Sequence, residues 1–174
     1  MGAAQYLYPF SAFDIRSRSR TGPACRAGVD AAGGRVEEVG GTALTGETNL
    51  ATLLRSMKPQ LWDQPLIFCS LDQAAYERLK TTPLGMFREQ EGITLIMDQQ
   101  QADQAHLPYT DLWACITLTV HSSLTAVGFI AAISSELAAA GLSVNPVSAY
   151  YHDHLFVPWA ERERAMQVLQ KFNQ

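Results

Sequence analysis

The sequence predicts an α+β protein made of two consecutive βαββα units, the layout of a duplicated ferredoxin-like fold. Three observations carry this. Residues 1–45 hold most of the glycines and almost no apolar periodicity, whereas ordered patterns begin near Thr48. From there, strand-type and helix-type spacings alternate. The order strand, helix, strand, strand, helix then occurs twice, the second set starting at Ala114, about 48 residues after the first at Leu66.

Taken in order, the first segment reads as a tail. It contains RSRSR at Arg16 to Arg20 and AAGGRVEEVGG, a composition that buries little apolar surface. Asp14 and Asp30 weigh against an Arg-rich transit peptide, and the opening MGAAQYLYPF has neither the basic region nor the apolar core of a secretory signal. A cytoplasmic location is therefore expected. Leu50, Leu53, Leu54 and Met57 then fall at helical spacing behind a Thr48 cap, and Pro59 ends that helix. LIFCSL reads as a buried strand, Asp72 as the cap of a short helix carrying Ala75, Tyr76 and Leu79. MFREQ and ITLIM read as a hairpin turning at Glu91-Gly92, and Asp98 as the cap of the polar helix QQQADQAH.

In the second set the signals are stronger. ACITLTV alternates with period two, so Ala114 to Val120 is a strand. Leu124, Val127, Ile130, Ile133 and Leu137 mark a helix from about Leu124 to Gly141, with Ser122 or Ser123 as its cap. VNPVSAYY and HLFVPW are two strands, and Ala165, Val168, Leu169 and Phe172 stripe a last helix that starts near Pro158. Between those strands, the histidines of SAYYHDHLFVP invite a metal reading. His152-Asp153 falls where a two-residue hairpin connection belongs, however, and His106 and His121 are the only other histidines, so a turn without metal is expected.

Composition narrows the function. The 174 residues are 47% apolar, enough for a core, and no apolar run approaches the roughly 20 residues of a membrane span. A net charge of −4 with 17% charged residues leaves no basic footprint for nucleic acid or anionic lipid. Cys25, Cys69 and Cys115 lack CxxC spacing and read as structural thiols. A nucleophilic site of Ser122 or Ser123 with His121 and Asp153 lacks a G-x-S-x-G elbow. An RNA-binding ferredoxin-like domain stacking bases on Tyr150 or Phe156 lacks the RNP1 pattern. No enzyme activity and no cofactor are expected.

The run ITLTVHSSLTAVGFIAAISSELAAAGLSVN, followed by YYHDHLFVP and an amphipathic helix, resembles an ACT domain. With LLRSMKPQL and FREQEGITLI upstream, residues 46–172 resemble the small stand-alone bacterial proteins built from tandem ACT modules, similar to the regulatory part of aspartate kinases. The resemblance implies ACT-like modules at 46–112 and 113–174 and has no counterpart for the tail at 1–45; the bare edges of the two units are expected to pair side by side into one sheet. It also implies a regulatory protein that binds a small molecule, commonly an amino acid, with a second copy or a partner enzyme as its protein partner. In such modules the pocket lies at the loop after the first strand and the start of the first helix, against the neighbouring module. Here that gives Ser122, Ser123, Leu124, Ala126, Val127 and Gly128. Free N–H groups at a helix start hold a carboxylate, Gly128 permits close backbone approach, and Asn145 can read the ammonium or side chain. The competing reading is an oligomerisation module without ligand.

Overall fold

The computed structural model describes residues 46–173; the expected tail at 1–45 lies outside them. In chain order, helix α1 (Leu50–Ser56) and strand β1 (Pro59–Leu61) precede β2 (Leu66–Leu71), α2 (Gln73–Arg78), β3 (Gly85–Arg88), β4 (Ile93–Asp98) and α3 (Gln99–Gln104). Then follow β5 (Trp113–Leu118), α4 (Phe129–Ala139), β6 (Asn145–Ser148), β7 (Asp153–Pro158) and α5 (Arg162–Gln170). The two βαββα sets are therefore β2 to α3 and β5 to α5.

Both sets contribute to one antiparallel sheet in the order β3-β4-β2-β5-β7-β6, with β1 also beside β5. The sets meet where Leu66 faces Trp113. Strand β1 extends this junction: Pro59, Gln60 and Leu61 pair with Leu118, Thr117 and Ile116, so a strand that precedes the first set completes the sheet of the second. Helix α1 goes with it. Leu53 and Met57 are fully buried among Ile116, Leu118, Ile133, Leu137, Leu155 and Leu169.

Strand alternation sorts the side chains. Ile67, Cys69, Leu71, Leu95 and Met97 face α2 and α3, while Ala114, Ile116, Leu118, Leu155 and Val157 face α1, α4 and α5. The opposite face carries Leu66, Ile96, Cys115 and Phe156 under Trp62, Phe68, Trp113 and Val147. Trp62, in the link between β1 and β2, closes part of this layer by donating from Nε1 to Thr117 Oγ1 at 2.9 Å. No helix among the described residues is long and apolar enough to cross a membrane.

Several local expectations change. Asn49, not Thr48, caps α1, because its Oδ1 accepts from Thr52 N–H. Asp72 and Asp98 do cap α2 and α3. The β3–β4 connection runs over four residues, Glu89 to Gly92, closed by Glu89 N–H donating to Gly92 O. Helix α4 starts at Phe129, five residues later than the Leu124 to Leu137 stripe implies. Leu124 and Val127 matched that stripe by spacing alone and are 66% and 85% exposed. The helix ends as expected: Gly141 takes φ 72°, and Gly141 and Leu142 N–H donate to Ala138 and Leu137 carbonyls.

Candidate binding cleft

The loop between β5 and α4 is organised by short-range hydrogen bonds. Ser123 caps a local turn and not the helix: its Oγ accepts from Thr125 N–H, and its carbonyl accepts from Ala126 N–H. Gly128 then adopts φ 91°, a left-handed conformation that redirects the chain into α4 and that only glycine enters at low cost. A Cβ there would meet Leu50 Cδ2 at 3.3 Å, so Gly128 also admits α1. Because glycine has no side chain to cap with, the N–H groups of Phe129, Ile130 and Ala131 begin the helix without a side-chain acceptor.

These three residues line a cleft of about 140 Å³ together with Ser122, Ser123, Leu124, Ala126, Gly128, Ser148 and Asp153. Five of the seven residues expected in the site are thus brought together. The other two are elsewhere: Val127 points to solvent, and Asn145 lies exposed on β6 opposite Phe156, on the face of the sheet away from α4. The far wall is also not the neighbouring module. It is the base of the β6–β7 hairpin of the same unit.

That wall brings in Asp153, expected as a turn residue. The connection is instead the four residues Ala149 to His152, closed by Ala149 N–H donating to His152 O at 3.1 Å. Tyr150 and Tyr151, expected at the end of a strand, occupy this turn and are largely exposed. Asp153 opens β7 and is 4% exposed. Its Oδ2 accepts from Ser122 Oγ at 2.8 Å, and its Oδ1 accepts from Ser148 Oγ. The signal for it was present in the sequence: Asp153, Leu155 and Val157 share one strand parity, so the carboxylate follows the two core residues to the buried face.

A second unforeseen element is Gly46-Glu47. Glu47 N–H donates to His121 O, and Ser123 N–H donates to Glu47 O, each at 2.9 Å, tying the segment before α1 to the cleft loop. The Glu47 carboxyl accepts from the backbone N–H groups of Asn49 and Thr48, which holds it below the usual carboxylate range.

The remaining histidines do not converge. His121 packs against the Tyr151 ring at 5.3 Å, and His152 Nδ1 lies 3.3 Å from Val120 O. His154 is on the opposite sheet face, with Nδ1 2.9 Å from Thr117 Oγ1. Among the described residues no group of three or more His, Cys, Asp or Glu side chains is placed to hold a metal. Burial depresses the His154 pKa, repulsion from His152 adds to this, and Asp153 partly opposes it. The unfolded chain therefore takes up the His154 proton at a higher pH than the folded one. Stability linked to this residue is full above about pH 6.5 and falls as the pH drops from there through the folded value. His154→Gln is expected to flatten the loss of stability between pH 7 and 5, as measured by urea unfolding; an unchanged slope would assign that loss to other groups.

Comparison with known proteins agrees with this architecture. A family model described as ACT domain matches residues 45–114, and another matches residues 110–171. A Vibrio cholerae protein of unknown function, described as a possible transport protein, is 42% identical, with 72% of this chain and 96% of that chain covered and a TM-score of 0.63. An Agrobacterium tumefaciens protein is 16% identical over 67% of this chain and 89% of its own, with a TM-score of 0.54. The ligand-free regulatory subunit of aspartate kinase from Thermus thermophilus is 9% identical over 68% of this chain and 100% of its own, with a TM-score of 0.53. The last two likenesses are of fold alone. No curated protein matches the chain.

Proposed function

This chain belongs to the ACT-domain family, with two such domains in tandem, and from that premise we propose that it is a non-catalytic regulatory protein that binds an amino acid in the cleft at the start of α4. The observation that carries the reading is that three backbone N–H groups at the start of an 11-residue helix, without a side-chain cap, border a concave site. Such a helix start carries a partial positive charge and directs donors at an anion, which suits a carboxylate. The cleft is smaller than the roughly 300–1,000 Å³ of drug-sized pockets, in keeping with a metabolite of a few heavy atoms. Ser122 donates directly to Asp153, and the His121 ring rests on Tyr151, so these groups are engaged in holding the site rather than set up as a nucleophile with its base. The regulated partner would be an enzyme, or a second copy of the chain, that senses ligand occupancy.

Titration calorimetry of the protein against each of the twenty amino acids tests this. One or a few are expected to bind with micromolar to low-millimolar affinity and to raise the melting temperature by mass action. Ala131→Trp, at an exposed position of α4 that borders the cleft, is expected to fold normally and to lose that binding. No heat with any amino acid at millimolar concentration would leave the oligomerisation-module reading in its place.

A further inference from the structure

The two ACT units provide an internal control for Asp153. In the second unit Asp153 is the first residue of β7, paired on one side with Leu118, the last residue of β5, and on the other with Ser148, the last of β6. In the first unit the same register position is Ile93, first residue of β4, paired with Leu71 and Arg88. Ile93 is 4% exposed and packed with Leu71 and Leu95, so the fold at this point is satisfied by an aliphatic side chain.

A carboxylate at such a position is costly unless its charge is compensated. Two serine hydroxyls compensate only part of it: they occupy two of about four acceptor sites on the carboxylate and bring no positive charge. Among the described residues, no Lys, Arg or His nitrogen pairs with Asp153. The carboxylate borders the same cleft as the free N–H groups of Phe129, Ile130 and Ala131, so one small site has a donor wall and a buried anionic wall.

We propose that Asp153, positioned by Ser122 and Ser148, is the ammonium-recognising residue of this cleft and restricts its ligands to α-amino acids over the corresponding hydroxy acids and simple carboxylates. The inference rests on the amino-acid reading above and adds a residue and a selectivity to it. A bound zwitterion would place its carboxylate at the start of α4 and its ammonium at Asp153, which supplies the missing counter-charge. The first unit, with Ile93 in this place, has no equivalent anionic subsite.

The test compares the twenty amino acids with their 2-hydroxy and des-amino analogues by calorimetry, in the wild type, Asp153→Asn and Asp153→Ile. The amino acid that binds the wild type is expected to outbind its 2-hydroxy analogue at least about tenfold, and to lose at least about tenfold in Asp153→Asn. Asp153→Ile, which installs the residue of the first unit, is expected to unfold cooperatively and to bind none of the panel. If an amino acid binds the wild type and Asp153→Asn equally, or binds no better than its 2-hydroxy analogue, the ammonium assignment is overturned while the amino-acid reading stands. If no amino acid binds the wild type, both fall.

Discussion

Phe156→Ala is expected to lower the free energy of unfolding by about 3–5 kcal/mol, the range for removing a buried aromatic ring. Phe156 is 2% exposed on β7, and its ring meets Phe68 of β2 edge to face at 5.3 Å; Phe68 in turn meets Trp113 of β5 at 5.6 Å. These three rings bridge the seam between the two ACT units, where the paired strands share only the Leu66–Trp113 register position. The cavity left by alanine would open at that seam. Phe156→Leu fills more of it and should cost less. Urea unfolding followed by tryptophan fluorescence measures both, and a loss below about 1 kcal/mol for alanine would mean that the open face repacks freely.

Gly46→Ala is the second large effect, expected at about 2–4 kcal/mol from overpacking and lost hydrogen bonds together. A Cβ on Gly46 would lie 2.5 Å from Ser123 N and 2.6 Å from Ser122 C, both backbone atoms that cannot swing aside as a side-chain tip would. The strand-like contact of Glu47 with His121 and Ser123 would have to separate. Since Ser122 and Ser123 border the cleft, amino-acid binding should weaken in the same variant. Thr48→Ala, an exposed change two residues on, should stay within about 0.5 kcal/mol of the wild type. Equal melting of Gly46→Ala and wild type would show that the close approach is not maintained in solution.

What could be read from the sequence was local chemistry. Asp72 and Asp98 act within three residues of themselves, so their caps are visible in a linear string. Leu66 to Leu71 and Ile93 to Asp98 declare themselves by apolar content, and Ala114 to Leu118 by alternation. Strand β1 does not: it is three residues long, opens with proline, and exists only because β5, more than fifty residues away, supplies its partner. The start of α4 was displaced because Leu124 and Val127 fall in phase with Ile130 and Leu137, while the conformation of Gly128 that breaks the phase leaves no periodic trace. Of the residues lining the cleft, the serines and Gly128 were named through the resemblance to ACT domains. Asp153 was hidden by the frequency of Asp in turns, and Asn145, opposite Phe156, lies on the sheet face away from the cleft.

The crossing of α1 and β1 into the second unit also has a kinetic meaning. As the chain leaves the ribosome, Leu53, Met57 and Leu61 emerge well before Ile116, Leu118 and Leu155, the residues that will bury them. The unit nearest the C-terminus thus depends on a piece synthesised earlier, and completing its core closes a loop spanning the entire intervening unit. The two ACT domains are consecutive in the gene but not separable as cassettes: a chain cut between residues 112 and 113 would leave α1 and β1 attached to the half that cannot use them.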